Sequence, residues 1–119
     1  MSIMIFGIPN CNTVKKARDW LVTNNVDHDF IDFKKQIPTE SLLLGWLSNV
    51  GSDVLINRKG TTWRALTADQ QLLAQTQAGA IELMISKPSI IKRPVLQQEG
   101  RILLGFDEAK YTDFFKYQE

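Results

Sequence analysis

The stretch from Ile3 to Phe33 constrains the fold most, because a strand, a tight turn, a helix and a second strand follow one another within it. Met4, Ile5 and Phe6 form the heart of an apolar run too short for a helix, which predicts a buried strand from about Ile3 to Gly7. Gly7, Pro9 and Asn10 then turn the chain. Val14, Ala17 and Leu21 recur at helical spacing with Trp20 beside them, so a helix over about Thr13 to Thr23 packs one face inward, and Asn24 and Asn25 end it. His28 to Phe33 reads as a second strand, with Phe30 and Ile31 in its middle and Asp27, Asp29 and Asp32 around them. A β-α-β unit of this kind is parallel and right-handed.

The single cysteine, Cys11, falls at the junction of turn and helix. A helix start presents unpaired N–H groups and the positive end of the macrodipole, and both favour a thiolate. Asn10, Asn12 and Thr13 are capping types, and Lys15, Lys16 and Arg18 follow within the next turns. Cations there oppose the dipole and suggest an anion nearby; they equally suit a solvated helix face. A free cysteine can also be a small packed hydrophobe. With no second cysteine, any disulfide is made with another molecule, and one histidine, His28, leaves no zinc-ligand cluster, so no metal is expected. Lone and flanked by aspartates, His28 reads as a strand-end residue rather than a catalytic base.

At 119 residues the chain is long enough for one domain burying about 65% of its unfolded surface. Its net charge of +1 supplies no field to recruit nucleic acid or a membrane, so any ligand must be recognised locally. No basic segment precedes the first apolar residues and no apolar run is long enough to span a bilayer, which makes a cytoplasmic location the expectation.

Pro38 suits the first turn of a further helix, in which Leu43, Trp46, Leu47 and Val50 recur before Gly51 stops it. After the short apolar Val54 to Ile56 comes a polar segment, Asn57 to Arg64, carrying Arg58, Lys59 and Arg64. Trp63 within it reads as cover for the core, with a docking surface as the alternative. Thr67 and Gln70 make a capping box for a helix through about Gln75, and Ile81, Met84 and Ile85 mark another that Pro88 ends. Val95 to Gln98 and Arg101 to Leu104 flank Glu99-Gly100, the spacing of a tight hairpin. Gly105 and Asp107 lead into a last helix whose Tyr111, Phe114 and Phe115 can seal one face of a sheet.

A strand, cysteine turn and helix, followed later by a proline directly before a hairpin, is the layout of an α/β protein of the thioredoxin-like type. Four segments make a more specific resemblance: GIPNCNTVKKARDWL around Cys11, NRKGTTWRAL from Asn57, KPSIIKRPVL from Lys87 and LLGFDEAKY from Leu103. The chain resembles the arsenate reductase and Spx superfamily, in particular its YffB-type branch of proposed glutathione-dependent reductases. The resemblance implies a single thioredoxin-fold domain over 1–119: a β-α-β unit, a mostly helical insertion at about 38–90, and a β-β-α unit.

It also implies that Cys11 is the nucleophile, that Arg93 stands beside it, and that Pro94 is cis. Arg58 resembles a second basic residue that oxyanion-reducing members use. Gly105 falls where a third arginine of that set would stand, which argues against arsenate as substrate. Val14 stands where Spx regulators carry the second cysteine of Cys-X-X-Cys. The expectation is a thiol reductase with glutathione as co-substrate: Cys11 forms a covalent adduct that an external thiol resolves, while Asn10, Asn12, Lys15, Arg58, Arg93 and Pro94 hold glutathione or substrate. Arg93 could equally favour the thiolate or grip a carboxylate. The alternatives are a Spx-like module that binds RNA polymerase without a redox switch, and an oxyanion reductase.

Overall fold

The computed structural model describes residues 2–116. In chain order the elements are β1 (Ile3–Gly7), α1 (Asn12–Thr23), β2 (Asp29–Asp32), α2 (Glu40–Val50), α3 (Ser52–Leu55), α4 (Thr61–Arg64), α5 (Ala68–Leu72), α6 (Gln77–Ser86), β3 (Val95–Gln98), β4 (Arg101–Leu104) and α7 (Glu108–Phe115). Short 3-10 turns at Leu73–Gln75 and Pro88–Ile90 join α5 to α6 and follow α6. The chain divides into two compact units, one formed by the residues up to Asp32 with those from Arg93 onward, the other by Phe33–Lys92.

The first unit carries a four-stranded sheet in the order β2-β1-β3-β4. β1 runs parallel to β2, as a crossover through α1 requires, and antiparallel to β3, which forms the hairpin with β4. Ile5 lies opposite Leu96 across β1 and β3, and the two join Ala17 and Leu21 of α1 and Tyr111 of α7 in one fully buried cluster. Both helices therefore close on the same face of the sheet. Each buried aliphatic side chain there contributes about 1.5–3 kcal/mol relative to exposure. An aromatic layer extends the cluster: Trp20 meets Tyr111 edge-on at 5.5 Å and stacks on Phe115 at 5.9 Å, and Phe106 meets Tyr111 at 4.8 Å. Arg101 fastens α7 to the hairpin, donating from Nη2 to Gln98 Oε1 and to the Phe114 carbonyl, each at 2.9 Å.

The hairpin turns at Glu99-Gly100 as its spacing predicts, yet Glu99, not the glycine, adopts the left-handed conformation, with φ 53°. β2 is shorter than the apolar pattern suggests. His28 leaves the strand because its Nδ1 donates to the Val26 carbonyl at 2.8 Å, and Phe33 belongs to the second unit, where its ring lies 6.3 Å from that of Trp46.

In the second unit, Pro38 is not in the first turn of α2. Thr39 is the cap instead, its hydroxyl accepting the Leu42 N–H at 3.2 Å, so the helix starts at Glu40 and Pro38 precedes it. Gly51, with φ 76°, ends α2 as expected. The segment from Ser52 to Arg64 holds two single helical turns, α3 and α4, too short to leave a helical period in the sequence. The capping box is formed: Gln70 N–H donates to Thr67 Oγ1 at 3.1 Å, and Thr67 N–H to Gln70 Oε1 at 2.9 Å. α6 begins earlier than its apolar residues suggest because Thr76 caps it through the Gly79 N–H at 3.0 Å. Asn57 N–H to the Ile90 carbonyl and Lys92 N–H to the Leu55 carbonyl, both 2.8 Å, tie the end of this unit to its middle. Among the described residues, no helix is long and apolar enough to cross a membrane.

Candidate active site

The register of the sheet brings its chemistry-bearing residues to one end. Phe6 pairs with Val95, and Val95 with Leu104. Directly beyond the last of these pairs, Gly105 N–H donates to the Pro94 carbonyl at 2.9 Å. Asp32 is the parallel partner of Gly7. The Arg93–Pro94 peptide bond is cis, as the resemblance implies. The chain leaves β1 at Gly7 and enters α1 at Cys11.

Cys11 is itself the N-cap of α1, one residue nearer the helix than the sequence suggests, with extended backbone at φ −105° and ψ 125°. Its carbonyl accepts the Lys15 N–H at 2.9 Å, while its side chain makes no capping hydrogen bond and is partly exposed. The first-turn N–H groups of α1 are thus unclaimed by a capping side chain, and no acidic residue occupies that turn. This is an electropositive setting for sulfur. Asn10, Asn12 and Lys15 are exposed beside it, and neither asparagine acts as the cap. Arg18 does not join the cationic group, because its guanidinium sits 4.0 Å above the Phe30 ring of β2.

Arg93 is partly buried and Pro94 buried in the first unit. Arg58 belongs to the second unit, where it lies 4.9 Å over the Trp63 ring and reaches Asp53 at 3.5 Å. Trp63 is partly buried beneath Arg58. Among the described residues, no three His, Cys, Asp or Glu side chains are grouped as metal ligands.

Two glycines shape the site, and sequence reasoning gave neither this role. A Cβ on Gly7 would stand 2.8 Å from Val14 Cγ2, so the bare glycine lets α1 pack onto the end of β1. Gly105 is buried with φ 74°, a conformation side chains disfavour, and its carbonyl accepts the Tyr111 hydroxyl at 3.2 Å. The position that lacks the third arginine is therefore one whose backbone calls for glycine. Its signal was the glycine directly after a strand.

Comparison with known proteins agrees with this geometry. Residues 6–114 match the ArsC family. A protein of Haemophilus influenzae described only as uncharacterised is 37% identical over 95% of this chain and 98% of its own. The global transcriptional regulator Spx of Streptococcus pyogenes is 28% identical over 94% and 84%. The solved structure of a YffB protein superposes with a TM-score of 0.88 at 42% identity, covering 94% of this chain and 97% of the other. The sheet, the cysteine at the first helix and the proline before the hairpin are those of a thioredoxin-like fold, and the chain belongs to the ArsC family, a family of thiol-redox proteins.

Proposed function

We propose that this chain is a glutathione-dependent thiol reductase in which Cys11 forms a mixed disulfide that an external thiol resolves. The observation supporting this most is the placing of Cys11 as a partly exposed cap of a 12-residue helix, at the end of the sheet that carries Arg93 and Pro94. The Cys11 thiolate attacks one sulfur of a glutathionylated disulfide, forming a Cys11–glutathione bond and expelling the other sulfur as a thiolate. A second glutathione thiolate then attacks the glutathione sulfur of that adduct, giving oxidised glutathione and restoring the Cys11 thiolate. With one cysteine in the chain, resolution must come from outside.

Arg93 offers the planar fork that grips a glutathione carboxylate, and Lys15 a point charge at the mouth. Asn10 and Asn12 offer hydrogen bonds beside the thiol, and Pro94 forms the wall. Intact mass after exposure to oxidised glutathione tests this reading. One glutathione adduct, reversed by excess reduced glutathione and absent in Cys11→Ser, is expected; an unmodified wild-type protein refutes it.

The Spx relative supports a second reading, a module that contacts RNA polymerase. Because Val14 replaces the second cysteine, such binding would be independent of Cys11. A polymerase pull-down unaffected by Cys11→Ser, combined with no adduct, favours it.

A further inference from the structure

The second unit contains a cleft of about 750 Å³, within the size range of small-molecule sites, and all its lining residues lie between Ser52 and Gln75. Arg58 and Asp53 bring charge to its lining, while Trp63, Ala68, Leu72 and Ala74 supply apolar surface. Leu72 is 55% exposed, a large apolar side chain left in water at the edge of a concavity.

The charged pair is poorly matched to itself. The Arg58 side chain is 33% exposed and that of Asp53 95% exposed, and a single Nη2–Oδ1 contact at 3.5 Å joins them. An arginine has five N–H donors, so most of its hydrogen-bonding capacity is unspent. Its plane is nonetheless held, because it lies 4.9 Å over the Trp63 ring. The wall is also braced: Gln71 Nε2 donates to the Trp63 carbonyl at 3.0 Å, tying α4 to α5.

We propose that this cleft binds an α-amino acid with an apolar side chain. The carboxylate takes the Arg58 fork in a bidentate pair, the ammonium takes the Asp53 carboxylate so released, and the side chain covers Trp63 and Leu72. One long ion pair is exchanged for two better ones, and no charge is left unpaired. A ligand with only one of the two charges would meet only one partner, the half-sheltered Arg58 or the exposed Asp53. The inference takes Arg58 out of the set that the resemblance assigns to glutathione or substrate, and competition with glutathione separates the two assignments.

The test is titration of the full chain with L-phenylalanine, followed by calorimetry and by the indole N–H resonances of its tryptophans. Saturable binding with a Kd of about 1 mM or tighter is expected, shifting the Trp63 resonance. Weakening of about tenfold or more is expected in Arg58→Gln and of about threefold in Asp53→Asn, the latter changing only an exposed side chain. Phenethylamine, which lacks the carboxylate, should bind at least about tenfold more weakly than phenylalanine, and 3-phenylpropionate, which lacks only the ammonium, about threefold more weakly. Cys11→Ser should bind as the wild type does. Absence of saturable binding overturns the proposal. So does binding that survives both cleft variants, equal binding of a one-charge analogue, or glutathione displacing phenylalanine more effectively than leucine does.

Discussion

Tyr111 shows how much one side chain can carry. It is fully buried at the centre of the first unit's cluster, and its hydroxyl reaches the Gly105 carbonyl. Burial pushes this hydroxyl well above the usual tyrosine range. The unfolded chain releases the proton near pH 10, whereas the folded protein retains it, so above that pH the unfolded state binds fewer protons and stability falls. The contribution is complete below about pH 10 and is lost as pH climbs toward the folded value. Denaturation midpoints measured from pH 8 upward should fall more steeply for wild type than for Tyr111→Phe. At neutral pH that variant should cost about 1 kcal/mol, because the Gly105 carbonyl loses its donor. Gly105 itself gives a second expectation. Restoring the missing arginine as Gly105→Arg should destabilise by about 1–2 kcal/mol through its left-handed backbone. The wild type should reduce arsenate poorly in a coupled assay; turnover comparable to that on disulfides would refute the weight placed on this position.

Short elements are governed by positions where backbone meets backbone. A Cβ on Gly79 of α6 would run into the Leu73 carbonyl and stand 2.9 Å from Thr76 Oγ1. Gly79→Ala should therefore lose about 1–3 kcal/mol in chemical denaturation despite its higher helix propensity. The hairpin offers the opposite case. Glu99 occupies the left-handed position beside a glycine that does not, and Glu99→Asn should raise the unfolding free energy by about 0.5–1 kcal/mol in chemical denaturation. These elements also show what was legible in the sequence. The capping box at Thr67, the stop at Gly51 and the hairpin spacing are local signals, and local chemistry decided them. The strand-cysteine-helix order and the proline before β3 located the end of the sheet where the candidate site lies. The rings beneath Arg18 and Arg58 were not legible in the same way: each guanidinium lies over an aromatic ring, Phe30 or Trp63, that adjacency in sequence does not single out. Pro38 misled because proline suits both the first turn of a helix and the position before its cap.

The sheet unit is discontinuous in sequence, since Phe33–Lys92 forms a unit of its own between β2 and β3. Ile5 can pair with Phe30 soon after both are made, but its other neighbour, Leu96, lies beyond the whole intervening unit. At ribosomal speeds of about 5–20 residues per second, that second neighbour arrives on the order of ten seconds after the first. Throughout this interval the inner strand, Ile3 to Gly7, is a nascent edge with unanswered N–H and C=O groups and the apolar Met4, Ile5 and Phe6 along it. A strand that ends paired along both sides thus begins with one side open and adhesive. Chains released after Lys92 should aggregate more than chains released after Leu104, which contain β3 and β4.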